Sequence, residues 1–248
     1  CHSWVTTGPS QVVASILNKA CADQFPHVLP DSRTLIRRLE GVTVSRHSIL
    51  VKYDIQDAYP SINIQSAIND CVAATPAPFR GMLHQLLGFV LHNSYLQRDG
   101  VVYKQANGVV MGTACAPPVA NIHFATSFET CAQQAAASQG ISWPTHYFRL
   151  IDDGLFVWEG DATGLDAFLQ VLQTVQPNIR LVVESDGSSL AYLDVIISKD
   201  LSCSGTSVPL LFATYQKPHS RFLYIPFQSH HRQHVFKAFI RGELICCY

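Results

Sequence analysis

Charge is scarce in this chain. Only 14% of its 248 residues are Asp, Glu, Lys or Arg, and 48% are hydrophobic. A disordered chain would show the opposite balance, so a folded protein with a sizeable core is expected. The 17 basic and 18 acidic residues leave a net charge of −1, without the basic excess that marks many nucleic-acid binders. No run approaches the roughly 20 apolar residues of a membrane-spanning helix, and no basic-then-apolar leader is seen. No membrane partner is therefore expected. There is no Gly-x-Gly-x-x-Gly or Walker-type loop, which argues against dinucleotide-binding and P-loop folds. Cysteine is present, at 8 residues, but never as Cys-x-x-Cys. That spacing argues against a zinc ribbon or a disulfide framework and for reduced, intracellular thiols. The chain runs from Cys1 to Tyr248 and reads as a fragment of something longer.

The charge that exists is unevenly placed. Residues 61–213 hold twelve acids against six bases, whereas 214–248 hold five bases and one acid, with four of the histidines. An acidic middle suits metal ions and a basic tail suits phosphates. Hydrophobic periodicity predicts helices over 10–22, 31–40, 64–73, 80–92, 119–137 and 165–175, and helix again past Ser229. Asp31-Ser32 opens the second of these as a cap. Strands are expected at 48–55, 179–184, 191–198 and 210–216, a strand–turn–strand over 146–158, and a hairpin over 95–103 turning at Asp99-Gly100. This is an α+β alternation with antiparallel pairs rather than a βαβ series.

Three carboxylates stand out. Asp54 ends the apolar run 49–54, and Asp152 and Asp153 lie between the apolar runs 147–151 and 155–158. Alone, Asp153-Gly154 reads as a two-residue turn and Asp54 as a cap before Ala58. Together, carboxylates at the ends of buried strands are costly unless something compensates them. Two divalent cations about 3.5–4 Å apart, held by carboxylates, are the machinery of phosphoryl transfer in polymerases and nucleases.

The order of motifs carries a resemblance. Asp54-Ile55-Gln56-Asp57-Ala58-Tyr59 resembles motif A of reverse transcriptases. Gly108-Val-Val-Met-Gly112 through Pro117 to Asn121 resembles motif B, and Leu150-Ile151-Asp152-Asp153 resembles motif C. Leu193-Asp194-Val195, then Tyr215-Gln-Lys217-Pro218 and Arg221-Phe-Leu-Tyr224, are similar to the segment after motif C in Penelope-like retroelement reverse transcriptases, and the tail 229–244 fits that group. The resemblance spans roughly residues 32–244. It implies a right-hand polymerase palm, an antiparallel sheet backed by helices, with partial fingers (1–47), palm (48–200, with a finger-like insertion near 78–107), and the end of the palm, a primer-grip-like segment and the start of a thumb (201–248).

It further implies an RNA-directed DNA polymerase that uses two Mg²⁺ ions, with Mn²⁺ as a substitute. RNA template, DNA primer and deoxynucleoside triphosphates would be its partners. Asp54 and Asp152 would hold both ions, Asp153 would support them or bind one, and the backbone carbonyl of Ile55 would be a further ligand. Tyr59 matches a steric gate against the 2′-hydroxyl. Gln56, Asp57, Ala58, Asn107, Gly108 and Gly112 would line the nucleotide, and Arg33 and Arg37, four apart on one helical face, would meet its triphosphate. Leu150, Lys217, Arg221, Lys237 and Arg241 would contact primer–template. Lys199 stands where the family often has a motif D proton donor, and Asp194 where the family has a structural Asp. His230, His231 and His234 lack Cys or Glu at matching spacing, so phosphate contact or plain surface is expected of them rather than zinc. The family likeness also implies a nuclear location and a GIY-YIG endonuclease domain beyond the C-terminal end.

Some residues depart from the family pattern. Leu150 replaces the aromatic that opens motif C, and Asn107 and Ala116 replace the Gln and Ser of motif B. These departures keep two alternatives open: a catalytically decayed copy that only binds primer–template, and an intron-type or telomerase-like reverse transcriptase. The segments around Leu193 and Lys217 argue against the second.

Overall fold

Ile49–Gln56 forms strand β2 at the centre of the computed structural model, which describes residues 5–216, 225–226 and 228–246. Side chains alternate across a strand. Val51, Tyr53 and Ile55 therefore enter one apolar core while Leu50 enters another. The sheet around it has the order β5 (Tyr147–Leu150), β6 (Asp153–Trp158), β2 and β7 (Arg180–Asp186), every pair antiparallel.

One face of this sheet is covered by helices. Residues of α1 (Thr7–Gln24), α4 (Ile64–Ala73), α5 (Arg80–His92), α6 (Ala116–His123) and α8 (Ala162–Thr174) share a core with Val51, Tyr53, Ile55, Phe156 and Trp158. The other face meets α2 (Ser32–Leu39) and a second antiparallel sheet. Its order is β1 (Thr43–Ser45), β10 (Ser207–Thr214), β9 (Val195–Lys199), β8 (Ser189–Tyr192). The α+β class with antiparallel sheets backed by helices is thus as the sequence implies.

Local chemistry explains most boundaries. Asp31 caps α2 by accepting from the Thr34 amide at 2.7 Å, and Asn63 caps α4 through Ser66 at 2.9 Å. The hairpin of β3 (Tyr95–Arg98) and β4 (Val101–Lys104) turns at Asp99 and Gly100, with φ of 52° and 80°; two positive values make the primed turn that matches strand twist. Three expectations are corrected. The motif B helix begins at Ala116, since Pro117 and Pro118 in its first turn forfeit no hydrogen bond. It continues as a π-helical stretch, Phe124–Thr130, into α7 (Cys131–Ser138). The single strand expected over 191–198 is a hairpin, β8 and β9, turning at Leu193-Asp194 with Leu193 at φ 56°. Strand β1, too short to show periodicity, went unpredicted.

The chain divides into two compact units, 1–215 and 216–248. Strand β10 thus belongs with the first unit. In the second, α9 (Gln233–Cys246) realises the helix expected past Ser229 and presents Lys237 and Arg241, both exposed, four residues apart. Lys217 and Arg221 lie outside the described residues. Among the described residues no helix is long and apolar enough to cross a membrane.

A candidate carboxylate site on the central sheet

The register of β2 against β6 places Asp54 directly opposite Asp153. Directly paired residues point to the same face of a sheet. Along that face of β2, Leu50 is buried, Lys52 half-buried and Asp54 exposed, so the carboxylates stand where the second core runs out. Asp152 occupies the two-residue turn between β5 and β6, and its carbonyl accepts from the Ile55 amide at 3.0 Å. Asp54 and Asp153 are thus cross-strand neighbours, and Asp152 adjoins them in the turn. Burial and, after it, the charge of Asp152 push the Asp54 carboxyl up. Lys52 offers no relief, because its Nζ is engaged by Glu184 Oε2 at 2.8 Å and the Ala191 carbonyl at 2.9 Å.

The turn itself lies two residues earlier than the Asp-Gly pair suggested. Its residues are Ile151 and Asp152, while Asp153 and Gly154 are in β6, paired with Asp54 and Tyr53. Gly154 serves packing instead. A Cβ there would fall inside the Tyr53 ring, so Gly154→Ala must displace a buried tyrosine. We expect a loss of about 1–3 kcal/mol, the usual cost of overpacking. A urea melt checks this, and an unchanged midpoint would contradict the packing role.

Tyr59 lies in α3 (Ala58–Ser61), half-buried. Burial, then the charge of Asp152, push its phenol up. The motif B loop is seated on the same turn: the Val109 amide donates to the Tyr59 carbonyl at 2.9 Å. Gly108 has φ 77°, and a Cβ on it would lie 2.7 Å from Pro60 Cα, so only glycine allows that approach. Ala58 is buried, whereas Gln56, Asp57, Asn107 and Gly112 are exposed on the segments flanking these contacts.

Other expected residues make contacts of their own. Hydrogen bonds from Thr34 and, behind them, the charges of Arg37 and Arg33 hold the Asp31 carboxyl low. Lys199 is buried, donating to the carbonyls of Arg46 at 2.7 Å and Ser48 at 2.6 Å. Burial pushes its ammonium down, and its three-donor head ties β9 to the turn before β2 instead of facing solvent as a proton donor. Leu150 packs against the second core, which accounts for an aliphatic side chain at the start of motif C. The Asp194 backbone carbonyl accepts from the Tyr215 amide at 2.8 Å.

Sequence reasoning missed the groups beneath the turn. Arg149 and Glu129 form a buried ion pair, with Nε to Oε1 at 2.7 Å. Glu129 also meets His27 Nε2 at 2.7 Å and the Tyr147 hydroxyl at 3.0 Å, and Tyr147 in turn bonds Tyr53. The available signal was that Glu129 is the only charged side chain between Lys104 and Arg149.

The donor set fits a divalent cation. Among the described residues no three His, Cys, Asp or Glu side chains form a ready-made metal cage. Mg²⁺ needs none, since it is commonly held by one or two carboxylates with waters and substrate phosphates. A cation between Asp54 and Asp152 would also offset the Asp152 charge that adds to burial in raising Asp54.

A family model described as reverse transcriptase (RNA-dependent DNA polymerase) matches residues 6–203. No curated protein matches the sequence significantly. Among solved structures, apo telomerase from Candida tropicalis is similar with TM-score 0.58 at 10% identity, over 79% of this chain and 40% of that one. Telomerase from Candida albicans is similar at 0.55 and 13%, over 77% and 38%. The BmCPV RNA-dependent RNA polymerase at elongation state is similar at 0.58 and 13%, over 78% and 19%. The chain thus spans less than half the length of these polymerases, and the likeness is one of fold.

Proposed function

The chain belongs to the reverse transcriptase family, and on that premise we propose that it extends a DNA primer with deoxynucleotides on an RNA template, by two-metal phosphoryl transfer. The observation that carries this reading is the cross-strand pair Asp54–Asp153 with Asp152 in the adjoining turn. Asp54, Asp152, Asp153 and the Ile55 carbonyl are the groups that would hold Mg²⁺. Two such ions held there would supply Lewis-acid activation of a primer 3′-hydroxyl and neutralisation of a leaving pyrophosphate. The chain's own residues position and select. Asp54 and Asp152 concentrate negative charge at the sheet end. Tyr59 lays a ring where a 2′-hydroxyl would clash, which discriminates by exclusion. Gly108 lets the motif B loop close onto the Tyr59 turn. Lys237 and Arg241 on α9 offer contacts to backbone phosphates, which position nucleic acid without reading sequence.

A Penelope-like retroelement origin is part of the proposal. It is supported by Leu193-Asp194-Val195 and by the Tyr215–Pro218 segment, and a nuclear site of action goes with it. The fingers, palm and thumb divisions stand on the same footing. The binding-only alternative is favoured by Leu150, Asn107 and Ala116, and it predicts salt-dependent primer–template binding with no incorporation.

The test compares dTTP and UTP on poly(rA)/oligo(dT) with Mg²⁺. Wild type should prefer dTTP, and Tyr59→Val should erode the kcat/KM ratio by about 10–100-fold, which is about 1.4–3 kcal/mol of discrimination. Unchanged discrimination in a folded variant would remove Tyr59 from the gate. Binding without incorporation by wild type would select the alternative.

A further inference from the structure

Arg149 has the largest fully buried side chain among the described residues, at 0% exposure. It lies three positions before Asp152. A guanidinium carries five N–H donors, and here all five find acceptors. Nε donates to Glu129 Oε1 at 2.7 Å and Nη2 to Glu129 Oε2 at 3.1 Å. Nη2 also donates to the Asn121 carbonyl at 2.9 Å, and Nη1 to Asn121 Oδ1 at 3.1 Å. The fifth bond leaves the helix altogether: Nη1 donates to the Ile151 carbonyl at 2.7 Å.

That carbonyl belongs to a strained residue. Ile151 has φ 56°, a conformation that a β-branched residue rarely adopts and that costs about 1–3 kcal/mol. A peptide unit is planar, so the Ile151 carbonyl and the Asp152 nitrogen move together. The next peptide unit is fixed as well, because the Asp152 carbonyl accepts from the Ile55 amide at 3.0 Å. One unit further, the Asp153 carbonyl accepts from the Tyr192 hydroxyl at 2.7 Å. Both peptide planes flanking Asp152 are therefore held, leaving its side-chain torsions as the main freedom.

The helix is shaped to supply this grip. At about 100° per residue, positions eight apart on an α-helix lie about 80° apart around the axis. The π-helical stretch Phe124–Thr130 takes up an extra residue in its wider turn. Asn121 and Glu129 thereby face the same guanidinium. A buried ion pair adds little net stability compared with apolar packing, whereas a five-way fork fixes an orientation.

We propose that Arg149, oriented by Glu129 and Asn121, is the positioning residue that sets the Asp152 carboxylate for metal binding. This rests on the metal-site reading above, and the test separates the two. Wild type, Asp152→Ala, Arg149→Lys and the double variant Arg149→Met/Glu129→Leu are compared in the full chain. The double variant replaces the ion pair with apolar volume and keeps a folded core if the single variant does not. Mn²⁺ binding is read by electron paramagnetic resonance without nucleic acid, and incorporation is read separately.

In the folded variants lacking the grip, Mn²⁺ affinity and kcat should each fall about 10–100-fold, as when second-sphere partners of metal ligands are lost, with KM for dTTP little changed. Folded variants that bind Mn²⁺ and turn over like wild type would overturn the proposal. If wild type binds Mn²⁺ through Asp152 but incorporates nothing, the positioning role is judged on binding alone and the polymerase reading fails. If Asp152→Ala leaves Mn²⁺ affinity intact, the metal assignment and this inference fall together.

Discussion

Asp152→Ala lowers nucleotide incorporation by at least about 10³-fold, about 4 kcal/mol of transition-state stabilisation, while leaving the fold intact. The two halves of that expectation come from different atoms. The carboxylate is what would hold the ions, and alanine removes it. The turn is held by backbone groups that alanine keeps: the Ile151 carbonyl on Arg149 and the Asp152 carbonyl on the Ile55 amide. The Asp152 charge, after burial, is also what pushes the Asp54 carboxyl up, so its loss strands no partner. Single-turnover primer extension beside a thermal melt reads both. A loss of less than about tenfold in rate, with the protein folded, would remove Asp152 from the metal site.

Glu129→Ala has the opposite signature, a large loss of stability of about 3–5 kcal/mol. It strands the Arg149 guanidinium in the core, and breaking a buried pair costs far more than the pair contributes. Domains are stable by about 5–15 kcal/mol, so the variant approaches unfolding. The same carboxylate makes the wild-type protein acid-labile. Burial alone would raise Glu129, but Arg149 and the His27 hydrogen bond outweigh it and bring the carboxyl from 4.5 down to about 2. A depressed folded-state pKa contributes stability that is complete above the unfolded value and lost as pH falls through the folded one. The window therefore runs from about 4.5 down to about 2. Urea melts across that range should show wild type losing stability more steeply than Glu129→Gln. Equal slopes, or a Glu129→Ala protein within about 1 kcal/mol of wild type, would contradict the assignment.

Features that depend on neighbouring residues were legible in the sequence. The cap at Asp31, the primed turn at Asp99-Gly100 and the apolar run of β2 are each decided within a few positions. The candidate site was legible as an order of motifs, and the pairing of Asp54 with Asp153 gives that order a geometric meaning. What could not be read is what tertiary packing imposes against local preference. Asp153-Gly154 has the composition of a turn, yet Gly154 is needed beneath the Tyr53 ring, and the turn moves back onto Ile151, which its own propensity disfavours. Leu193 is pressed into the same conformation where one expected strand folds into two. The π-helical stretch has no local cause either, since its effect is to align Asn121 with Glu129 on a guanidinium from a distant strand.

The most direct measurement of the central claim is dTTP incorporation on poly(rA)/oligo(dT) by the wild-type chain, with Mg²⁺ present and then chelated. The account predicts templated extension that stops on chelation and returns when Mg²⁺ is restored. Folded protein that binds the primer–template and extends nothing at any Mg²⁺ concentration would contradict it.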